Sequence, residues 1–92
     1  MKEYQYPLDL DWTTEEMVHV TNMWSAVEQA YETGISTEKF LAAYKEFKTV
    51  INSIGEEKRL GREFEQVSGY SLYRAVSQAK KQQQGKLKLG DE

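Results

Sequence analysis

The chain has 92 residues with a single histidine and no cysteine. Its chemistry must therefore rest on carboxylates, hydroxyls, phenols and cations. His19 follows Glu15 and Glu16 by one helical turn. A Glu–His pair at that spacing is half of a carboxylate-bridged metal site, and the other half needs a second acid–histidine pair from elsewhere. No second histidine exists, so His19 reads as a surface residue. Asp9 and Asp11 lack the glycine turn and the further oxygen ligands of a calcium loop. Ser36, Ser53, Ser68 and Ser71 each stand at a cap or turn. A serine nucleophile among them would need His19 as its base. Gly34, Gly55, Gly61 and Gly69 are too scattered for a phosphate loop. Glu56, Glu57, Glu63 and Glu65 alternate with Lys58, Arg59 and Arg62, the pattern of a solvated helix face. Glu28 remains, about 60° from the centre of an apolar stripe at roughly 100° per residue. Burial there would raise its pKa toward general acid–base use. From these residues we expect no catalytic, metal or cofactor set, and most simply no enzyme.

The segment with most to offer is an interaction surface: Tyr70, Tyr73 and Arg74, followed by Lys80 and Lys81. Tyrosines beside cations can stack bases and meet phosphates, as single-strand binders do. The same residues also read as core tyrosines and a basic helix end that suits the helix dipole. Charge is uneven along the chain. Residues 1–46 carry nine acids and three bases, a net of −6, whereas residues 74–90 carry five bases and no acid. The whole chain is at −3, so there is no global pull toward nucleic acid.

These residues are positioned by helices. Met17, Val20, Trp24, Val27 and Tyr31 recur at three- and four-residue steps, the spacing of one helix face. Thr13 with Glu16 forms a capping box, and Gly34 can close the helix in the left-handed conformation. A first helix over 13–33 follows. Ser36 caps a second over 37–52, with Phe40, Tyr44, Phe47 and Ile51 as its stripe. Ser53 with Glu56 opens a third over 54–68, striped by Leu60, Phe64 and Val67. Gly61 sits inside it, and close approach of another backbone would explain it. Ser71 caps a fourth over 72–83, with Leu72, Ala75, Val76 and Ala79 on one face. Residues 1–12 form an extended arm in which alternation lays Leu8, Leu10 and Trp12 on the core. Residues 84–92 read as a frayed tail, with pairing as a short strand against the N-terminal arm as the alternative. The expected fold is all-α: one compact four-helix array or bundle within 1–92, its first helix longest and central. No apolar run approaches the 20 or so residues of a membrane span. The N-terminus lacks the apolar region of a signal peptide, so a cytoplasmic location is expected.

Several motifs occur in order along the chain. They are Tyr4-x-Tyr6-Pro7-x-Asp9-x-x-Trp12-x-x-Glu15-Glu16; Val27-Glu28-x-Ala30-Tyr31-Glu32-x-Gly34-Ile35; Phe47-Lys48; and Arg62-Glu63-Phe64-Glu65-x-x-Ser68-Gly69-Tyr70-Ser71-x-Tyr73-Arg74. Together they resemble the uncharacterised bacterial family numbered 0223 among families of unknown function, from Tyr4 to about Ala79. The resemblance implies a small all-helical bacterial cytoplasmic protein, and brings no activity, cofactor or catalytic residue. Its members tend to carry a proline just before the position of Ser53, where this chain has Asn52.

Three functions stay open on the sequence. The leading one is a non-enzymatic protein-interaction module, with some of Tyr4, Tyr6, Trp12, Tyr70 and Tyr73 lining an exposed groove. The second is weak RNA or single-stranded DNA binding through Arg74, Lys80, Lys81 and Lys86. The third is an enzyme using a buried carboxylate such as Glu28. The partner's identity and the oligomeric state are not set by the sequence.

Overall fold

Six elements follow one another between residues 5 and 89, the part of the chain that this computed structural model describes. They are α1 (Thr14–Glu32), β1 (Ile35–Ser36), α2 (Thr37–Val50), α3 (Ile54–Ser68), α4 (Leu72–Gln82) and β2 (Lys86–Leu87). The architecture is an array of four helices with one minimal two-stranded ladder.

Helix α1 begins where its capping box requires. The Glu16 amide donates to Thr13 Oγ1 at 3.1 Å, and the Thr13 amide donates to the Glu16 carboxylate at 2.9 Å. At its end, Gly34 has φ 96°, a conformation that side chains resist. The Lys86 side chain lies across Gly34 where a Cβ would stand. The chain reverses there and enters β1 directly.

The core is built on α1, the longest helix, which buries Val20, Met23, Trp24, Ala26, Val27 and Ala30. Trp24 is the hub. Phe64 of α3 stacks on its ring at 4.6 Å between centroids, and Phe47 of α2 meets it edge-on at 5.6 Å. Both arrangements suit the quadrupoles of the rings. Helix α4 seals the array with Leu72, Ala75, Val76 and Ala79.

Four details differ from the expectations set by pattern. The helix ends are shorter. Residues 13 and 33 cap α1 instead of belonging to it, and α4 stops at Gln82 because Gln83 takes φ 65°. Helix α2 stops at Val50, because Ile51 leaves the helix (ψ 88°) and is fully buried. At Gly61, the group that approaches is the Leu72 side chain, which a Cβ would meet at 3.4 Å.

The third difference is the arm. Tyr6 and Trp12 pack against the core, but Leu8 is 44% exposed and Leu10 91%. The Asp9 carboxylate accepts the Asp11 amide (2.9 Å), and the Trp12 amide returns to the Asp9 carbonyl (3.1 Å). That turn breaks the two-residue alternation and swings Leu10 outward. Upstream, Trp24 Nε1 donates to the Pro7 carbonyl (3.3 Å), and the Tyr6 hydroxyl donates to Glu28 (2.7 Å).

The fourth is the tail, which is not frayed over its described part. β2 pairs antiparallel with β1, Ile35 opposite Leu87, and Leu87 is fully buried. The Leu89 amide donates to the Ala30 carbonyl at 2.7 Å. The Gln82 side-chain amide reaches Thr37 Oγ1 (3.0 Å) and the Lys86 carbonyl (2.7 Å). The buried Leu87 and these bonds outweigh the polar composition that suggested fraying. Residues 90–92, the rest of the expected tail, lie outside the described residues.

Candidate functional site

The helical period that buries Leu60 and Phe64 turns a different set of α3 side chains outward. Ile54, Lys58, Gly61, Arg62 and Glu65 share one face at three- and four-residue steps. On α4 the corresponding set is Tyr73, Val76, Ser77 and Lys80. These two faces, with Tyr44 and Lys48 of α2, enclose an open groove of about 790 Å³. Gly61 keeps the α3 wall low, and Leu72 packs beneath it.

The wall from α2 is tied to α3 by one carboxylate. Glu57 accepts from the Tyr44 hydroxyl at 2.9 Å and forms an ion pair with Lys48. Burial, and then this hydrogen bond, push the Tyr44 phenol up to about 12. Lys80 lies over the Tyr44 ring, 5.3 Å from its centroid, within cation–π range. The groove therefore holds four cations (Lys48, Lys58, Arg62, Lys80) against two carboxylates (Glu57, Glu65). That is a local excess of two positive charges on a chain whose net charge is −3. Its apolar surface includes Ile54, 68% exposed, and Tyr73, 79% exposed.

The sequence-derived surface is thus divided. Tyr73 and Lys80 line the groove. Arg74 and Lys81 are exposed on α4 but are not among its lining residues. Tyr70 belongs to the framework. Its ring stacks on Tyr31 at 4.7 Å, its hydroxyl donates to Glu32 at 2.7 Å, and it is only part exposed. Ser71 donates its amide to the Tyr31 hydroxyl (3.3 Å), so the Tyr31–Tyr70 pair fixes the turn between α3 and α4. Of the aromatics expected in a groove, Tyr73 lines it, while Tyr6 and Trp12 pack on the core. Tyr4 lies outside the described residues.

Tyr44, Lys48, Ile54, Lys58 and Arg62 line the groove, though the sequence patterns assign none of them to an interaction surface. A signal was present in Gly61, a helix-interior glycine beside a narrow apolar stripe, and in Ile54, an apolar residue off that stripe.

The remaining candidates for chemistry have structural work. Glu28 accepts the Tyr6 hydroxyl and so anchors the arm. His19 is part-buried on α1, 3.3 Å from Glu46 and 3.9 Å from Glu15. It does not line the groove. Ser71, at the groove's edge, uses its hydroxyl to cap α4 through the Arg74 amide at 3.1 Å. Among the described residues, no three His, Cys, Asp or Glu side chains gather closely enough to hold a metal ion. The groove can hold apolar groups and anions. Its lining offers no imidazole or thiol to move a proton or attack a substrate.

Comparison with known proteins places these features in a wider group. The model of an uncharacterised protein family, UPF0223, matches residues 3–88. A UPF0223 protein of Enterococcus faecalis is 76% identical over 92 residues, covering 100% of both chains. A UPF0223 protein of Streptococcus pneumoniae serotype 19F is 57% identical over 89 residues, covering 97% of each.

Proposed function

The chain belongs to the bacterial family UPF0223; from the groove that it carries, we propose that it is a protein-interaction module whose docking face is the α3–α4 groove. The partner segment in this reading carries apolar anchors flanked by carboxylates. One observation carries the proposal: Ile54 and Tyr73 stand exposed over an apolar floor between Lys58, Arg62 and Lys80. Exposed apolar surface rimmed by polar groups is the usual form of a docking site. Tyrosine and arginine are favoured anchors within such sites. The proposed setting is the cytoplasm. Among the described residues no helix is long and apolar enough to cross a membrane.

The test is an amide-resolved NMR titration with two synthetic peptides and one mixed oligonucleotide. The first peptide alternates leucine with aspartate, and in the second lysine replaces aspartate. The expected result is saturable shifts at Gly61, Tyr73 and Val76 with the acidic peptide and none with the basic one. Tyr73→Ser should weaken that binding about tenfold, as loss of a central anchor does. No shifts with the acidic peptide, or oligonucleotide shifts centred on Arg74, Lys81 and Lys86, would overturn the reading. The second pattern would favour nucleic-acid binding by the basic end of α4.

A further inference from the structure

We propose that the groove receives the turn over residues 9–12 of a second copy of this chain, with Leu8 just before it, an inference that rests on the docking reading above and names its occupant.

The turn is built oddly for a surface loop. Leu10 is 91% exposed at its tip, a place where Gly, Asn, Asp or Ser is usual. Leu8 is 44% exposed beside it, and neither belongs to the core cluster. The fold thus leaves Leu10 almost wholly in water and Leu8 nearly half exposed, both outside the core cluster. Asp9 and Asp11 flank Leu10, and the first turn of α1 adds Glu15 and Glu16. The arm therefore presents apolar anchors between carboxylates. The groove presents the converse, with Ile54 and Tyr73 between Lys58, Arg62 and Lys80.

The two surfaces match in polarity and oppose in charge, and one chain carries both. A chain cannot satisfy itself. Its turn is held in place by Tyr6 on Glu28 and by Pro7 on Trp24, with Leu10 facing solvent. A second copy can supply what the groove lacks: Leu10 fits above Gly61, and Asp11 meets Arg62. If each copy gives its turn and receives the other's, the pair closes by two-fold symmetry; a one-way contact continues into a longer assembly.

Sedimentation of the full chain over a wide concentration range at low salt tests this. The wild type should show reversible mass increase. Leu10→Ser and Arg62→Glu should each raise the dissociation constant about tenfold. Asp11→Arg combined with Arg62→Glu should recover most of that loss, because the charge pair is restored in reverse. All three positions are exposed, and circular dichroism checks that each variant keeps its helices. A chain that stays monomeric throughout, or self-association that Leu10→Ser leaves unchanged, overturns the proposal. The acidic-peptide titration then separates the two readings. Saturable shifts in a monomeric chain would leave the docking face standing with a foreign partner, and their absence would remove both.

Discussion

At the scale of single residues, the most informative pattern is three tyrosines that each donate to a glutamate. Tyr6 bonds to Glu28, Tyr44 to Glu57 and Tyr70 to Glu32. All three phenols are pushed up from 10.0 to about 12. Burial is the leading cause for Tyr6 and Tyr44, followed by the hydrogen bond. For Tyr70 the bond to Glu32 leads. Above pH 10.0 the unfolded chain releases phenolic protons that the folded chain retains, so stability falls as pH rises. The contribution is fully present below pH 10.0 and is lost as pH climbs toward 12. Urea unfolding across that range should show a declining midpoint. Tyr44→Phe should flatten part of the decline and cost about 1 kcal/mol at neutral pH, the value of an ordinary hydrogen bond. The tyrosine pairs are not legible in the sequence, because Tyr70 and Glu32 stand 38 residues apart.

At the scale of elements, the tail and α3 make opposite predictions. Leu87 is fully buried, and β2 closes over the start of α2. Leu87→Ala should therefore destabilise by about 2–5 kcal/mol, read as a lower thermal or urea midpoint. A frayed tail would show no change. Gly61 interrupts α3, yet a Cβ added there would meet its nearest neighbours, two Leu72 carbons, at 3.4 and 3.5 Å, ordinary contact distance. Gly61→Ala should raise stability by roughly 0.5–1 kcal/mol, since the helix gains propensity without a collision. The added methyl also narrows the groove, so a more stable protein with a weaker docking face is the expected pair of outcomes. The caps that begin the four helices were legible, because each is a local pattern of Thr or Ser. Three of them lie at Ser36, Ser53 and Ser71, each accepting an amide three residues on. The helix ends were less so, because they depend on which side chain the core draws in, as with Ile51.

At the scale of the whole molecule, an acidic chain carries a cationic groove and an acidic turn on separate surfaces. Self-association through them should weaken with salt, because the pairs are exposed and screened. It should not vanish in high salt, since Leu10, Ile54 and Tyr73 still lose water on contact. Sedimentation at low and high salt checks this. Loss of all association at moderate salt would point to a purely ionic contact instead. Trp24 sets the molecular framework on which both surfaces depend. Trp24→Ala removes the partner of Phe47, of Phe64 and of the Pro7 carbonyl. It should cost about 3–5 kcal/mol in chemical denaturation.

The residues by themselves determined the four helices, their caps, the primacy of α1 and the family, because each rests on neighbours within a turn or two or on motifs in order. They left Tyr73 open between a core and a surface position, and the structure leaves it 79% exposed. Only the tertiary structure decided the rest. It put Tyr70 into the framework, turned Leu10 into water, folded Leu87 into the core and brought α3 beside α4 to make the groove. Each of those outcomes depends on contacts between distant residues or on a turn that overrides periodicity, and neither is encoded in spacing along the chain.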